Sequence, residues 1–476
     1  MLIAVATLTP VYSIDAQDVS RVCLTRSLVR LEVKADSCLQ SALDKSSYHG
    51  HLYSDKAPGM SVLEIPGVVA ARVPSAQYWP TNSLRLWLVR VLASGISFLI
   101  CAFMVGRISE GLAPGYGSLV LASFGLGTLF APLAAANFEH ITAGTLGLAA
   151  FALAWRRRPL LAGLAAGAAL CFAYEAALII SIVGLYVALQ GGRRLAVYIR
   201  GVLPGVVLLL GYTWVAFNRP WRFSYRYVVG PNESNQSSGF FGVHLPYLHA
   251  AHQIFLGSRG ILLISPIVLA AAAGLVLLGR RLPAEAIVCA LVTVAFVILN
   301  CGYFLPYGGE SPGPRFLAPC LPFLALGLAP AFAAWRRVTT ALAALSIVAM
   351  TTVTLTWVNL YPGRWTIWDQ IFHFPVDRSA VLAYLSPNVL MQLGISARAA
   401  NALLVLAAAS AFAIAIAGAP RRPATLWRRR RSNDRRREPF RRGTRSPLSR
   451  DRREGRAYLA GGVNDPAPDH DRTHER

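Results

Sequence analysis

The chain has 476 residues, of which 55% are hydrophobic and 14% are charged, and its formal net charge is +23. Soluble domains have roughly 25% charged residues, so this composition excludes an ordinary soluble protein. The sequence also contains many apolar runs near the ~20 residues that a membrane-crossing helix needs. We therefore predict an all-α polytopic membrane protein of the cell (plasma) membrane.

The excess of positive charge is unevenly distributed. Residues 421–476 contain 18 Arg against 8 Asp or Glu, and most other cations form short clusters between apolar runs. Such clusters mark cytoplasmic loops, so the distribution argues against nucleic-acid binding. Residues 419–476 are too charged and too poor in aliphatic side chains to fold alone. They are predicted to be a disordered cytoplasmic tail attracted to anionic lipid headgroups.

The first apolar run, at about 2–12, is too short to cross a membrane comfortably. It is interpreted as a tilted helix or as a span whose first part is missing, and the second interpretation is preferred. Residues 13–83 follow as a long polar segment. This segment is predicted to be an extracytoplasmic loop with interfacial helices around 17–31 and 60–73, the second of them interrupted at Pro66.

Eleven more apolar runs bring the prediction to about twelve transmembrane helices within a domain of residues 1–418. Their positions are about 84–106, 116–133, 140–155, 159–174, 176–190, 200–217, 260–279, 283–303, 316–335, 338–358 and 401–418. With residues 13–83 outside, both termini are cytoplasmic. The loops then predicted to be cytoplasmic carry the Arg clusters, as the positive-inside rule requires. The Arg residues concerned are Arg107, Arg156, Arg157, Arg158, Arg193, Arg194, Arg280, Arg281, Arg336 and Arg337.

The seven cysteines show neither a Cys-x-x-Cys pattern nor the Cys/His spacing of a metal site. No metal ligands and no cofactor are therefore predicted, although a divalent ion is left open. Cys23 and Cys38 share the first outer loop, so a disulfide between them is an open alternative to two free thiols.

Asp18 and Arg21, three residues apart, would share one face if this stretch is helical. Arg21 could then keep Asp18 ionised as a general base for a hydroxyl acceptor. The alternative is a solvated ion pair worth little.

Lys56 lies in the turn-forming segment 53–59, where it could neutralise a phosphate oxygen. Its neighbour Asp55 could be a second acidic group or could position Lys56. The alternative is an ordinary exposed turn.

Further ionisable residues lie at the predicted outer ends of spans. Arg315 suits a bidentate contact with phosphate, and the alternative is a snorkelling side chain at a helix end. Arg259 has a similar position at another helix entrance. Outer turns hold Glu139-His140 and Glu175, for which a structural role is favoured. Residues that could line a site are Asp55, Glu139, His140, Glu175, Arg259 and Glu310.

Three short motifs follow one another along the chain: Asp18-x-x-Arg21, Tyr-Ser-Asp-Lys-Ala-Pro-Gly at 53–59, and Gly-Pro-Arg at 313–315. In this order they resemble the polytopic glycosyltransferases with the C-type fold (GT-C). That group includes the protein O-mannosyltransferases and the bacterial aminoarabinose transferases of lipid A. The resemblance covers the order of spans over most of residues 1–418, although the matched motifs comprise few residues.

The resemblance implies an inverting glycosyltransferase that uses a polyprenyl-phosphate sugar and a hydroxyl acceptor, which is a glycan, a glycolipid or a protein. Asp18 would be the catalytic base and Arg21 its neighbour in the site. Lys56 would bind the donor phosphate, and Arg315 would assist. Because fixed cations can stabilise the leaving phosphate, a metal need not be required.

Two other classes remain as alternatives. One is a transporter of an anionic lipid or solute, and the other is a non-catalytic member of the same fold. Ion-coupled transporters usually carry ionisable groups at mid-membrane and paired halves with broken helices. The sequence contains no convincing second copy of the 18–59 arrangement, which favours the enzyme.

Overall fold

The computed structural model of the chain describes residues 1–12, 14–72, 84–309, 311–356, 366–368 and 387–420. Helices predominate within these residues. They are α1 (Leu2–Leu8), α2 (Ala16–Val29), α3 (Asp36–Leu39), α4 (Gly59–Ala70), α5 (Leu84–Leu112), α6 (Gly117–Gly127), α7 (Phe130–Ala135), α8 (Glu139–Trp155), α9 (Pro159–Phe172), α10 (Ala176–Ala188), α11 (Gly192–Phe217), α12 (Glu233–Ser237), α13 (Leu248–Leu256), α14 (Ile261–Ile264), α15 (Ile267–Gly279), α16 (Pro283–Gly302), α17 (Leu321–Ala325), α18 (Leu328–Leu355), α19 (Val389–Gln392) and α20 (Ala397–Gly418). Single 3₁₀ turns occupy Ser224–Tyr227 and Arg315–Cys320.

Five of the described helices are long and apolar enough to cross a membrane, namely α5, α11, α16, α18 and α20. A sixth span results if the segment Leu248–Ile264 is counted together with α15, although the two are bent by 89°. These helices confirm the prediction of a largely helical integral membrane protein. The count of about twelve spans and the cytoplasmic placement of the termini stay predictions.

The apolar run predicted at 116–133 is divided in the structure. It forms α6 and α7, because Thr128 adopts an extended conformation (φ −122°, ψ 157°) that ends the first helix. A single continuous span over this run is therefore wrong.

The runs predicted at 316–335 and 338–358 are also divided differently. A 3₁₀ turn and α17 precede α18, which continues through a kink at Trp335 (φ −131°, ψ 50°). Arg336 follows the kink, and its guanidinium donates to the carbonyls of Ile416 and Pro420. The non-helical Trp335 thus separates two helical segments, and this break lies at the predicted boundary between the two runs, next to Arg336-Arg337.

The first long polar segment also contains a short hairpin, which the prediction of interfacial helices alone did not include. Strands β1 (Ser46–Tyr48) and β2 (His51–Tyr53) form an antiparallel hairpin in which Tyr48 pairs with His51. The turn residues His49 and Gly50 both have positive φ (51° and 79°), the backbone that a tight two-residue hairpin turn requires.

Two helices of this segment lie close to the predicted stretches 17–31 and 60–73. They are α2 and α4, which pack against each other. Helix α4 runs through Pro66 without interruption, so the predicted break there is wrong. A proline removes one backbone hydrogen bond, and a short helix held by tertiary packing tolerates that loss.

A disulfide joins Cys23 of α2 to Cys38 of α3, which settles the alternative left open by the sequence. Ala35, Leu39 and Ala42 pack around it as a small buried cluster. The bond therefore fixes the part of the polar segment around α3 against α2.

Helices α9 and α11 approach each other at their glycines. A Cβ added to Gly163 would lie 2.1 Å from the Tyr198 carbonyl oxygen, and one added to Gly205 would lie 2.1 Å from the Gly167 oxygen. The end of α9 in turn contacts α4, since a Cβ on Gly59 would lie 2.6 Å from the Cys171 oxygen. This packing positions the turn that carries Lys56.

Candidate functional site

Helix α2 carries the first group of charged residues on its buried face. A capping box closes its N-terminus: the Asp15 carboxylate accepts the Asp18 N–H (2.8 Å), and the Asp18 carboxylate accepts the Asp15 N–H (3.4 Å). Asp18 and Arg21 are 0% and 1% exposed, because α2 packs against α4. The alternative of a solvated ion pair is therefore wrong.

Asp18 is paired with Arg90 and not with Arg21. Arg90 belongs to α5, where a π-helical turn follows at Val91–Gly95. Its guanidinium donates to the Asp18 carboxylate and to the Tyr12 carbonyl (2.9 Å). The expectation that Arg21 holds Asp18 ionised is thus corrected. The two side chains share a buried face, but a helix distant in sequence supplies the closer cation.

Arg21 instead pairs with Glu139 at the start of α8. It also donates to the Gln17 side chain (2.7 Å) and to the Asn137 carbonyl (2.8 Å). The Asn137 amide nitrogen donates to Glu64 of α4 (2.7 Å) and lies 3.4 Å from an Asp18 carboxylate oxygen. Asn137 therefore connects the two ion pairs to the carboxyl group of α4.

Four carboxyl groups surround the two guanidinium groups of Arg21 and Arg90, so full ionisation would leave excess negative charge in a buried space. Burial, with the neighbouring Asp18 carboxylate, raises the pKa of Asp15 to about 6. Burial is also the main cause that raises the pKa of Glu64 to about 7. A proton on either group would relieve the excess, and the raised pKa values bring that protonation closer to neutral pH.

Lys56 occupies the turn between β2 and α4. Its ammonium nitrogen lies 2.9 Å from carboxylate oxygens of both Asp44 and Asp55. Ser20 of α2 holds this turn, because its hydroxyl bonds to Asp55 (3.2 Å) and to the Ser54 hydroxyl (2.8 Å). The Lys56 side chain is 10% exposed, so the alternative of an ordinary exposed turn is wrong.

The two carboxylates beside Lys56 respond oppositely to it. Burial would raise the pKa of Asp44, but the Lys56 ammonium, assisted by Arg315 and Arg21, holds that pKa below its usual value. Burial and the nearby Asp44 charge raise the pKa of Asp55 despite Lys56. The pKa of Lys56 is itself raised, because its two carboxylates outweigh the effect of burial.

Arg315 enters the same region from the loop before α17. Gly308, with φ +79°, lies directly against it, since a Cβ there would be 2.6 Å from the Arg315 Nε. The guanidinium lies over the rings of Phe138 (5.2 Å) and Phe316 (5.4 Å). The Nε is buried without a hydrogen-bond partner among the described residues, while the side chain as a whole is half-buried. The choice between a phosphate contact and a snorkelling side chain stays open.

His140 and Glu175 join this group. The His140 Nε2 is 3.3 Å from a Glu175 carboxylate oxygen, and the His140 ring packs edge-on against Phe316. Burial raises the pKa of Glu175. The structural role favoured for Glu139, His140 and Glu175 stays untested, but all three lie beside Arg21 and Arg315.

One other predicted site residue, Arg259, has contacts elsewhere. Arg259 donates to the Ser311 carbonyl (2.8 Å) and lies 4.8 Å from the centre of the Tyr307 ring, so it supports the loop that leads to Arg315. Glu310 lies outside the described residues.

We call this assembly the ionic centre. Its members are Asp15, Asp18, Arg21, Asp44, Asp55, Lys56, Glu64, Arg90, Asn137, Glu139, His140, Glu175 and Arg315.

Sequence reasoning missed five of these members: Asp15, Asp44, Glu64, Arg90 and Asn137. Two had a usable signal. Glu64 is an isolated carboxyl group within an apolar helix, and Arg90 lies six residues inside the predicted span 84–106, where a charge needs a partner. The other three had no such signal, because only the tertiary packing places them.

Within the described part of the chain, no group of three or more His, Cys, Asp or Glu residues could hold a metal ion. The ion pairs use the carboxylates that a metal would need. Metal independence stays a prediction.

The fold and the ionic centre define an integral membrane protein of helices with a buried, charged centre built on its first long polar segment. No family model matches the chain, and no curated protein does. Among solved structures the chain is similar to ArnT from Cupriavidus metallidurans in the apo state (13% identity, TM-score 0.47, 88% of this chain and 74% of that one). It is likewise similar to the same protein bound to undecaprenyl phosphate (14%, 0.44, 88% and 75%).

A third similar structure is the archaeal oligosaccharyltransferase AglB from Archaeoglobus fulgidus, in complex with an inhibitory peptide and a dolichol-phosphate. Here the identity is 10% and the TM-score 0.41, over 86% of this chain and 55% of that one. These structures belong to the group that the motif order resembles. At identities of 14% or less the similarity concerns the course of the chain and assigns no role to any residue.

Proposed function

We propose that the chain is a membrane glycosyltransferase that moves a sugar from a polyprenyl-phosphate donor to a hydroxyl acceptor at the outer face of the membrane. One observation carries the proposal: the Lys56 ammonium lies 2.9 Å from the Asp44 carboxylate, so a buried cation of the polar segment already binds an anionic group. In support, the positive charges of Lys56, Arg315 and Arg21 hold the pKa of Asp44 below its usual value. An anion-binding position of this kind, built from fixed side chains, suits a phosphate group.

In the proposed reaction the acceptor oxygen attacks the anomeric carbon from the face opposite the phosphate. The bond between that carbon and the phosphate oxygen breaks, and its electron pair leaves with the polyprenyl phosphate. Lys56 and Arg315 stabilise the charge that develops there. The acceptor proton passes to a carboxylate, and the sugar inverts its configuration.

Two carboxylates of the ionic centre are candidates for that base. Asp18, the residue assigned by resemblance, is 0% exposed and bound by Arg90. Glu139, bound by Arg21, has a side chain that is 11% exposed and precedes His140. An acceptor hydroxyl can reach Glu139 more directly, so Glu139 is the rival that geometry favours.

The test is transfer from polyprenyl-phosphate sugars by the purified full chain in lipid nanodiscs. Lys56→Ala and Arg315→Ala should each lower transfer by about 10²–10³-fold, the cost of removing one fixed charge-stabilising donor. Lys34→Ala removes an exposed lysine of the same segment, which contacts His51, and should leave transfer unchanged. Equal activity of Lys56→Ala and wild type would overturn the phosphate site.

The base is identified with Asp18→Asn and Glu139→Gln, after correct insertion has been verified. The variant that lacks the base should lose transfer but keep donor binding, whereas the other should retain measurable transfer. Comparison of the glycans and glycolipids of a deletion strain with those of its parent should identify the sugar and the acceptor.

A further inference from the structure

The Lys56 ammonium is already neutralised by carboxylates of its own chain. Asp44 and Asp55 both lie 2.9 Å from it, so the three charges sum to −1 when all are ionised. A phosphate group brought to this ammonium would meet two carboxylates, and like charges at such distances repel strongly in a partly buried site. The phosphate role of Lys56 is therefore favoured when one carboxylate gives up its position beside the ammonium.

Asp55 is the carboxylate that is built in. It directly precedes Lys56 in the turn, its side chain is 7% exposed, and the Ser20 hydroxyl donates to it. The Ser224 hydroxyl also donates to its backbone carbonyl (2.7 Å). Removal of Asp55 from Lys56 would disrupt contacts with two other parts of the chain.

Asp44 is held less firmly. Its side chain is 20% exposed, and Lys56 is its ion-pair partner among the described residues. It lies on an irregular segment between α3 and β1, next to Leu43, which is 62% exposed. Backbone hydrogen bonds hold this segment on either side of Asp44. The Ala42 N–H donates to the Leu39 carbonyl, and the Val229 N–H donates to the Lys45 carbonyl.

We propose that Asp44 is a displaceable internal counter-ion that occupies the anion position beside Lys56 and Arg315 and is replaced there by the phosphate of the lipid donor. This inference rests on the proposed function. Asp44 would keep the cations neutralised within the protein, and a free phosphate group would have to compete with a tethered carboxylate. Asp44 thus lowers the affinity of the site for phosphate, and only a phosphate group that binds more strongly than the carboxylate occupies the position.

The decisive result is an increase in affinity for undecaprenyl phosphate when the charge of Asp44 is removed. Binding of undecaprenyl phosphate to the full chain in nanodiscs should be measured for wild type, Asp44→Asn, Lys56→Ala and Glu32→Gln. Asp44→Asn should bind about tenfold more tightly or better, because the competing charge is gone. Glu32→Gln is the matched control, since it removes an exposed carboxylate of the same segment, and should bind as wild type does.

Lys56→Ala should bind weakly, and the double variant Asp44→Asn/Lys56→Ala should not regain affinity. Asp44→Glu retains the charge and should show no gain, whereas Asp44→Ala removes the charge in a second way and replaces Asp44→Asn if that variant fails to fold. Unchanged or weaker binding by a folded Asp44→Asn, with Lys56 still required, would overturn the counter-ion role and leave the proposed function intact. Binding that is insensitive to Lys56 in every background would overturn both.

Discussion

Burial changes what each charged side chain can do in this protein. Arg21 and Arg90 are almost completely enclosed, and breaking such a pair leaves one uncompensated buried charge. Asp18, which looks like a surface residue in the sequence, is held by a capping box, an ion pair and an amide. Lys56 is held equally closely by two carboxylates. The buried ion pairs of Arg21 and Arg90 are therefore held in fixed geometry, and the surplus carboxyl groups Asp15 and Glu64 have raised pKa values.

Glu64 provides a pH test of this arrangement. Its pKa of about 7 in the folded chain exceeds the ordinary value of 4.5, so the folded state binds the proton more tightly than the unfolded state. Stability should therefore fall as pH rises from about 4.5 to above 7, and the step is equivalent to about 3 kcal/mol of unfolding free energy. Glu64→Gln mimics the protonated group and should remove this part of the pH dependence.

The measurement is thermal unfolding in detergent between pH 5 and pH 8.5. Glu32→Gln, an exposed carboxylate, should follow the wild-type curve. A Glu64→Gln curve parallel to that of wild type would show that Glu64 is ionised throughout.

Close contact between helices depends on small residues in this chain. Gly163 and Gly167 of α9 lie four residues apart, as do Gly201 and Gly205 of α11, and their backbones touch across the interface. Without a hydrophobic driving force within lipid, such close packing holds spans together. The polar segment has in addition a disulfide, which joins α2 to α3.

Gly205→Leu should therefore separate α9 from α11. Its new side chain would start 2.1 Å from the Gly167 carbonyl oxygen, and the backbone cannot yield cheaply. We expect a loss of about 1–3 kcal/mol or more in thermal unfolding. Gly211→Leu, on the same helix with no atom within 4 Å, is the control and should be close to neutral. Equal losses in both variants would contradict the packing argument.

Reduction of the Cys23–Cys38 bond should destabilise the polar segment by about 3 kcal/mol, the value for a loop of about 15 residues. Thermal unfolding should be compared with and without reductant. The Cys23→Ser/Cys38→Ser double variant should already have the lower stability and should not respond to reductant. A wild-type protein whose unfolding temperature is unchanged after verified reduction would contradict the prediction.

The distribution of charge organises the molecule as a whole. Arg clusters lie between the predicted spans, and the positive-inside rule assigns the loops that carry them to the cytoplasm. The polar segment with its hairpin, disulfide and ionic centre would then lie on the opposite side. A donor with a long polyprenyl chain could remain in the membrane while its phosphate reaches Lys56.

Single introduced cysteines test this topology. Ser234→Cys and Gly192→Cys both replace exposed residues, and the free native cysteines are largely enclosed. A membrane-impermeant maleimide applied to intact cells should label Ser234→Cys and should label Gly192→Cys only after lysis. The reverse pattern would invert the predicted orientation.

Much of the helical architecture can be predicted from the sequence, because a helix in the membrane needs a long run of apolar residues and such runs are visible locally. The length and low charge of the apolar runs predicted the helical class and several helix boundaries, as for α8, α9, α10 and α16. The division of the run at 116–133 was missed, since the extended conformation of Thr128 depends on packing that no local pattern shows.

The ionic centre divides in the same way. The sequence by itself determined that Asp18, Arg21, Lys56 and Arg315 are unusual charges, because charge is costly beside apolar spans. Only the tertiary structure decided their partners. Ion pairing depends on distance in space. Helices α5 and α8 are far from α2 in the sequence, yet their residues Arg90 and Glu139 pair with Asp18 and Arg21 of α2. Asp44, which pairs with Lys56, lies on a loop without a recognisable motif.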